Sequence, residues 1–359
     1  MRAVVIREYG VTPTVEDVAE PTCPVDGALI EVAATGLCRS DWHGWMGHDE
    51  DIVLPHVPGH ELAGTVRAVG ADVRGWQAGD RVTVPFVCAC GRCEPCREGQ
   101  AQVCADQRQP GFSDWGSFAE LVAIHRADAN LVRLPAELDF ATAASLGCRF
   151  STAFHALTAQ AGVAPGQWLA VHGCGGVGLS SVMIGVALGA RVIAVDVSAT
   201  ALAAASELGA EHVVTGGGSG PDSAPAQIQR ITGTGAHVSV DAFGSAATAR
   251  DSVRSLRRRG THVQIGLMTG EAARAAMPMA RVVIHELRIV GSHGMSARDF
   301  PPMLAMVADG RLRPDRLVHD HIGLDAAPSA LATMDAAPDQ AAGERKTGGI
   351  TVIEPGRHG

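Results

Sequence analysis

A glycine-rich turn between an apolar strand and a helix constrains the fold of this chain more than any other feature. Trp168–His172 is an apolar run typical of a buried strand, Gly173–Gly178 reads GCGGVG, and a helix candidate, Leu179–Leu188, follows at once. In such a unit the glycines allow a tight turn, admit a pyrophosphate close to the backbone, and let the helix pack on the strand. The phosphate then lies at the helix N-terminus, where unpaired N–H groups favour an anion. The pattern predicts a dinucleotide-binding turn.

An acidic residue at the end of the next strand makes this turn more specific. The strand candidate Arg191–Val195 is followed by Asp196, 18 residues after Gly178. A carboxylate at this place can bind the adenosine ribose diol, which predicts NAD as the coenzyme. The predicted contacts are the turn, the acid and two residues at the end of a later strand: Gly173, Gly175, Gly176, Val177, Gly178, Asp196, Ile265 and Leu267.

Strand and helix candidates alternate through the second half of the chain, after a helical stretch at Ala143–Gly162. The further strand candidates are His212–Val214, Val238–Phe243, Thr261–Ile265 and Arg288–Val290, with helices at about Ala199–Leu208 and Ala246–Leu256. This alternation predicts a parallel, doubly wound sheet.

The first third of the chain has a different pattern. Short β-type runs lie close together between Gly and Pro turns, at Ala3–Arg7, Ala28–Ala34, Leu62–Val69 and Arg81–Val87. Such spacing indicates a compact β-rich unit and not βαβ repetition. With 359 residues, 46% of them hydrophobic, we expect two domains and an α/β fold class.

Four cysteines are clustered in a polar segment of fifteen residues. Cys90, Cys93, Cys96 and Cys104 are separated by two, two and seven residues, a spacing that lets four thiols converge on one zinc. A site with four thiolates has no open position and is structural. An iron–sulfur cluster is the main alternative. Cys88 has an irregular spacing, and we expect it to be a spectator.

A second set of metal donors is dispersed along the chain and comprises Cys38, His60 with Glu61, and Cys148. Two thiolates and one imidazole leave the fourth position of a zinc ion open to substrate, as in a catalytic site. Glu61 is either a fourth ligand at some stage or a neighbouring charge. The two sets together predict two zinc ions per chain.

Charge and hydropathy exclude several kinds of partner. A net charge of −9 argues against nucleic acid and anionic membrane surfaces. No run of 18 apolar residues occurs, and Met1–Glu8 is a short apolar stretch without the features of a signal peptide. We therefore expect a cytoplasmic protein, whose nine cysteines are reduced, acting on a small molecule.

Five motifs in order resemble the zinc-dependent alcohol dehydrogenase family of the medium-chain dehydrogenase/reductases. They are Gly36–His43 (GLCRSDWH), Pro58–Gly64 (PGHELAG), the four-cysteine lobe, Leu146–Thr152 (LGCRFST) and the glycine turn. The resemblance runs nearly end to end. It implies a GroES-like β-rich catalytic domain, residues 1–149 and 290–359, and a Rossmann doubly wound coenzyme domain, residues 150–289.

The resemblance also implies roles for single residues in the chemistry. Cys38, His60 and Cys148 match the ligands of the catalytic zinc. Ser40 matches the hydroxyl that hydrogen-bonds the substrate oxygen, and His43 matches the end of the proton relay. Trp42, Trp45, Phe86 and Trp115 are candidates for the walls of the substrate site.

Four further residues match positions that hold the coenzyme or orient a ligand. Arg39 matches a pyrophosphate contact, Asp41 a partner of the ligand histidine, and Thr152 a threonine beside the nicotinamide. Asp196 matches the acid that marks NAD preference. The chain departs from the family at Ala201, where many relatives have a lysine, and at Gly348–Ile350, where many have an arginine for the pyrophosphate.

The implied activity is reversible hydride transfer between an alcohol, or its aldehyde or ketone, and NAD(H). A polyol or thiol-adduct (formaldehyde-type) dehydrogenase is the alternative. The zinc ligand set argues against a zinc-free reductase of double bonds. The presence of Ser40 and His43 argues against a dinucleotide sensor that has no catalytic activity. By family analogy we expect a homotetramer, with a dimer second, in which Arg288–Val290 pairs across a two-fold axis.

Overall fold

The computed structural model describes residues 1–334 and 349–357. The strands are β1 Arg2–Val5, β2 Thr14–Asp17, β3 Ala28–Leu37, β4 Glu61–Val69, β5 Arg81–Thr83, β6 Leu121–Ile124, β7 Val132–Arg133, β8 Trp168–His172, β9 Arg191–Asp196, β10 His212–Thr215, β11 Ala236–Asp241, β12 Leu256–Gln264, β13 Arg288–Gly291, β14 Val318–Gly323 and β15 Ile350–Glu354.

The α-helices are short in the first half and longer around the parallel sheet. They are α1 Arg39–Trp45, α2 Glu94–Arg97, α3 Ala127–Asn130, α4 Phe140–Ala144, α5 Ser151–His155, α6 Gly176–Ala187, α7 Ala199–Glu207, α8 Ala224–Thr232, α9 Ala246–Arg254, α10 Met279–His285, α11 Phe300–Ala308 and α12 Ala327–Ala332. Within the described residues, no helix is both long enough and apolar enough to cross a membrane.

The second half of the chain forms the predicted parallel sheet. Its six strands have the order β10-β9-β8-β11-β12-β13, and every neighbouring pair is parallel. The bounds of β8 agree with the prediction. The predicted helix through Leu256 is too long, because Leu256 pairs with Ala236 of β11 and starts β12 instead.

The first part of the chain and its end share a second sheet. Its order is β14-β15-β3-β4-β5-β7, and β6 pairs with β3. The strand predicted to reach Val87 ends at Thr83, and Pro85, which has no N–H to donate to a ladder, follows closely. β15 pairs with β3 although more than three hundred residues separate them. The α/β class and the β-rich first unit are confirmed.

One helical segment connects the two sheets and differs from a regular helix. It begins with α4, where the Asp139 side chain accepts a hydrogen bond from Thr142 N at 2.8 Å. Wide π turns at Leu146–Phe150 and Ala156–Gln160 flank α5. In the first of them Ser151 N–H bonds to the carbonyl of Leu146, five residues back. The single helix predicted at Ala143–Gly162 is therefore interrupted by two π-helical turns.

Candidate active site

The dispersed donor set meets at one point in the structure. Strand pairing aligns Gly36 of β3 with Glu61 of β4, which brings Cys38, just after β3, beside His60. The first π turn of the connecting segment supplies Cys148. One ligand atom each from Cys38, His60, Glu61 and Cys148 lies within 4.8 Å of the others. The four residues could hold one metal ion.

His60 is oriented as a metal ligand requires. Its side chain is fully buried, and Nδ1 lies 2.9 Å from Oδ1 of Asp41. Asp41 is fixed in turn, since it accepts hydrogen bonds from the backbone N–H groups of Cys38 (2.9 Å) and Gly59 (3.1 Å). Nε2 of His60 is buried without a hydrogen-bond partner among the described residues. A metal ion bound to Nε2 would satisfy this atom, while the carboxylate of Asp41 fixes the ring.

The charges around the two thiols also suit a cation. A hydrogen bond from Cys148 lowers the pKa of Cys38 well below its usual value, against the effect of burial, and the charge of Arg149 contributes. The same hydrogen bond raises the pKa of Cys148. Burial disfavours the charged form of His60, but Asp41 and Cys38 raise its pKa well above its usual value. The shift at Cys38 favours its thiolate, and a thiolate is the form in which cysteine binds zinc.

Glu61 is paired with a cation that sequence reasoning did not single out. Arg149 Nε donates to Oε1 of Glu61 at 2.9 Å, and Nη2 contacts Oε2. Burial raises the pKa of Glu61, and the charge of Arg149 opposes this shift. The pairing could not be read from the sequence, because 88 residues separate the two.

The four cysteines of the lobe lie close together, with their sulfur atoms within 4.8 Å of one another. The distances between sulfur atoms are 3.4 Å for Cys93–Cys96, 3.6 Å for Cys93–Cys104 and 3.9 Å for Cys90–Cys96. A zinc ion with Zn–S bonds of about 2.3 Å needs tetrahedral edges of roughly 3.8 Å. Hydrogen bonds from the amides of Arg92 and Cys93 lower the pKa of Cys90 to about 6. Since the lobe also fits zinc, the structure has two separate groups of donors.

Ser40 and His43 lie on α1, directly after the candidate ligand Cys38. The hydroxyl oxygen of Ser40 is 3.8 Å from the sulfur of Cys38, so it would lie close to a substrate if the dispersed donor set held a metal ion. The Nδ1 atoms of His43 and His48 are 3.0 Å apart. The sequence analysis did not name His48 as a site residue. Its position five residues after His43 could have indicated that the two histidines lie close together.

The glycine turn has the geometry of a phosphate-binding loop. Gly173 has a φ of +90°, which favours glycine. A Cβ atom on Gly178 would lie 1.8 Å from the carbonyl oxygen of Gly173, so only glycine lets α6 pack this closely on the turn. At Gly175, the N-cap of α6, a Cβ atom would meet no atom within 4 Å, and this open side can receive a ligand.

Asp196 lies beside the turn, at the end of β9. Its Oδ2 accepts a hydrogen bond from Cys174 N at 2.7 Å, and its Oδ1 accepts one from Ser198 N at 2.8 Å. The carboxylate is therefore held at the mouth of the turn. Val197, the next residue, is 76% exposed and can cover one face of an adenine.

The remaining predicted coenzyme residues lie in different environments. Thr152 is buried and bonds to the carbonyl of Cys148 at 2.7 Å. Ile265 packs on the main core, whereas Leu267 is 62% exposed. Arg39 stacks over Trp42, with its guanidinium carbon 5.1 Å from the ring centroid.

The aromatic candidates for the substrate walls separate into different environments. Phe86 lies between His60 and His293, with ring-centroid distances of 6.2 Å and 5.1 Å. Trp45 packs in a core cluster, and its indole N–H donates to the carbonyl of Val11. The sequence analysis did not name Phe243 as a candidate site residue. Its side chain is exposed next to Gly173. Its position after β11, at the carboxyl edge of the parallel sheet, could have indicated a place near the coenzyme.

Comparisons with known proteins agree with this arrangement. Residues 25–136 match the model of the alcohol dehydrogenase GroES-like domain, and residues 176–309 match that of the zinc-binding dehydrogenases. An alcohol dehydrogenase of Rhizobium meliloti (strain 1021) is 35% identical over 87% of this chain and 89% of its own. An NAD-dependent alcohol dehydrogenase of Sulfurisphaera tokodaii is 31% identical over 93% of this chain and 96% of its own. The crystal structure of an alcohol dehydrogenase from Thermus sp. ATN1 superposes with a TM-score of 0.88 at 30% identity, covering 99% of this chain and all of that one.

A GroES-like sheet, a Rossmann coenzyme sheet and a buried donor set between them define a class of two-domain dehydrogenases. Within that class, the chain belongs to the zinc-dependent alcohol dehydrogenases of the medium-chain dehydrogenase/reductase superfamily. It is an NAD-dependent oxidoreductase that interconverts an alcohol and a carbonyl compound.

Proposed function

We propose that Cys38, His60 and Cys148 hold the catalytic zinc. The buried, unpartnered Nε2 of His60 carries this proposal, since within the described residues no other group satisfies it. When bound, zinc acts as a Lewis acid on the substrate oxygen and favours loss of its proton. An absorbance assay for NADH with a panel of primary, secondary, aromatic and polyol substrates tests the activity. Failure to turn over any alcohol with NAD at full zinc content would contradict it.

The protein residues then orient the substrate and move its proton. Ser40 takes the proton of the substrate hydroxyl as it gives up its own, and His43, in contact with His48, is the end of the relay that releases a proton to solvent. Thr152 and the residues after β12, Ile265 and Leu267, bind the nicotinamide side of the coenzyme. The catalytic domain comprises residues 1–149 and 290–359, and the coenzyme domain comprises residues 150–289. The substrate binds in the cleft between these two domains.

Two zinc ions per chain are expected, one in each donor group. Metal analysis of protein purified without chelator should give about two equivalents. Cys38→Ser should reduce this to one, and Cys93→Ser should also leave one. Loss of the lobe metal should lower the thermal midpoint by about 10 °C or more, because that site contributes stability and not chemistry.

The control for this measurement is Cys23→Ser, since Cys23 belongs to neither group of donors. The Cys23→Ser variant should keep both equivalents of zinc and the thermal midpoint of the wild type. Two equivalents in the Cys38→Ser variant would show that the dispersed set does not hold a metal.

Asp196 should make the enzyme prefer NAD to NADP. The extra phosphate of NADP would approach the carboxylate, and like charges ~4 Å apart repel by about 1 to 4 kcal/mol across an effective dielectric of roughly 80 to 20. Ser198, Ala199, Thr200 and Ala201 offer no cation to offset this charge. Asp196→Gly should therefore raise the ratio of kcat/KM for NADP over NAD by about fivefold or more, and addition of Val197→Arg should raise it further.

A matched control for coenzyme choice is Glu211→Gln, an exposed acid before β10 that pairs with Arg191. It removes the same charge at the amino edge of the sheet and should leave the ratio unchanged. A wild-type enzyme that uses NADP as well as NAD would refute the role of Asp196.

A homotetramer in the cytoplasm, with a dimer second, is the proposed state of the protein. Exposed apolar side chains on α10 and on the edge strand β13 support an interface between copies; they are Met279, Val283, Ile284 and Ile289. Thiols held without disulfides suit a reducing compartment. Sedimentation at several concentrations distinguishes tetramer, dimer and monomer. A polyol or thiol-adduct substrate is the second candidate, which the substrate panel resolves when a hydroxymethyl thiol adduct is added to it.

A further inference from the structure

A buried cation lies between the proposed catalytic zinc site and the phosphate-binding turn. Arg149 is 8% exposed and follows Cys148 directly. Its Nε donates to Oε1 of Glu61 at 2.9 Å, its backbone N–H donates to the same oxygen at 3.2 Å, and Nη2 contacts Oε2. Both oxygens of Glu61 are therefore engaged by one arginine, on the side of the metal site.

The same guanidinium also lies against the start of α6. A Cβ atom on Gly176, the first residue of α6, would be 2.6 Å from Cδ of Arg149 and 3.3 Å from its Nη1. The neighbouring position at Gly175 is open. Nη1 has no hydrogen bond to a described residue, whereas Nε and Nη2 are used by Glu61. The arginine thus has a donor left on the side where a coenzyme phosphate would lie.

The charge requirement of the turn supports this reading. A pyrophosphate carries two negative charges, whereas the helix terminus offers only partial positive charge and the family resemblance assigns to the pyrophosphate a single full charge, that of Arg39. The position at which many relatives have an arginine contains Gly349 and Ile350 here, and Gly348 lies outside the described residues. An arginine has five N–H donors in a planar fork and can bind two anions at once.

We propose that Arg149 binds the coenzyme pyrophosphate through Nη1 while Nε and Nη2 hold Glu61 away from the metal. Arg149 is then a coenzyme-binding residue and a positioning residue for Glu61. The inference rests on the proposed function, because it needs coenzyme at the glycine turn and a metal on the dispersed donor set.

The first test separates phosphate binding from folding. Arg149→Met alone would leave Glu61 buried without a counter-ion, so the informative variant is Arg149→Met with Glu61→Gln, which removes both charges. We expect the Kd of ADP-ribose, measured by competition with NADH fluorescence, to rise at least about tenfold relative to Glu61→Gln alone. The Kd of adenosine, which has no phosphate, should not change.

Two comparisons decide the outcome of this test. Arg191→Met, which removes an exposed arginine paired with Glu211, should bind ADP-ribose like the wild type. Equal ADP-ribose affinity in Glu61→Gln and in the double variant would overturn the role of Arg149. Failure of the wild type to bind NADH would instead contradict the proposed function.

The second test examines the metal, with Co²⁺ substituted for zinc at the dispersed site. A four-coordinate cobalt site absorbs strongly in the visible, and a fifth ligand weakens the band. Arg149→Met should change the position or the strength of the band, because the released Glu61 carboxylate either replaces the fourth ligand or adds a fifth one, and adding Glu61→Gln should restore the original band. A band unchanged in Arg149→Met would show that Arg149 does not hold Glu61 away.

Discussion

Replacement of His60 with asparagine is expected to lower kcat by about 10³-fold or more, while coenzyme still binds. His60 supplies the imidazole of the dispersed donor set, and its Nε2 is buried without a hydrogen-bond partner among the described residues. A Lewis-acid metal contributes several kcal/mol to transition-state stabilisation, and each 1.36 kcal/mol is a factor of ten in rate. The measurement is steady-state turnover of one good alcohol, together with metal content and NADH fluorescence.

The matched control is His125→Asn, since His125 also faces a carboxylate, with 3.7 Å between its Nδ1 and Asp26 Oδ1. This variant lies outside both donor groups and should keep its activity and both zinc equivalents. A His60→Asn enzyme with more than a tenth of wild-type kcat would show that the histidine does not hold the catalytic metal.

Ser40→Ala is expected to lower kcat by about 10² to 10⁴-fold, the usual contribution of a positioned proton-transfer group. The Ser40 hydroxyl lies 3.8 Å from the sulfur of Cys38, a proposed zinc ligand, and it is the hydroxyl within Gly36–His43 that can take the substrate proton. Coenzyme affinity and metal content should be retained, because Ser40 belongs to neither binding group. Stopped-flow measurement of hydride transfer tests the step directly.

Two companion variants make this result specific. Ser40→Thr keeps a hydroxyl and should recover much of the rate. His43→Gln, which only interrupts the route to solvent, should cost less than Ser40→Ala, with most of the loss at low pH, where a proton acceptor is needed. Equal rates for wild type and Ser40→Ala would mean that the proton leaves by another route.

The sequence was informative where function depends on residues close together along the chain. The spacing from Cys90 to Cys104 predicted a lobe whose sulfur atoms meet, and Trp168 to Gly178 predicted a strand, a turn and a helix at nearly their observed places. In both cases a local rule, ligand spacing or glycine conformation, determines the structure. The convergence of Cys38 with Cys148 was available only through the family resemblance.

The features that sequence reasoning missed depend on contacts between distant segments. The contact between Arg149 and Glu61 depends on the packing of the connecting helical segment beside β4, which the sequence does not show. The end of α9 was misplaced because Leu256 enters a β-ladder with Ala236, a tertiary contact that outweighs the local helical pattern. Such competition between local preference and pairing cannot be decided from one segment alone.

The π turns in the segment that connects the two sheets have a consequence for the evolution of this enzyme. A π turn accommodates one more residue than the α turn it replaces, so the direction of Cys148 depends on how many residues separate it from Asp139, where α4 begins. Substitutions along the segment change packing but preserve this count. A single-residue deletion rotates every following side chain by roughly 100° about the helix axis and turns the thiol away from His60. We therefore expect residues 139–152 to tolerate substitutions but not insertions or deletions. Insertions and deletions in functional variants should lie outside this segment.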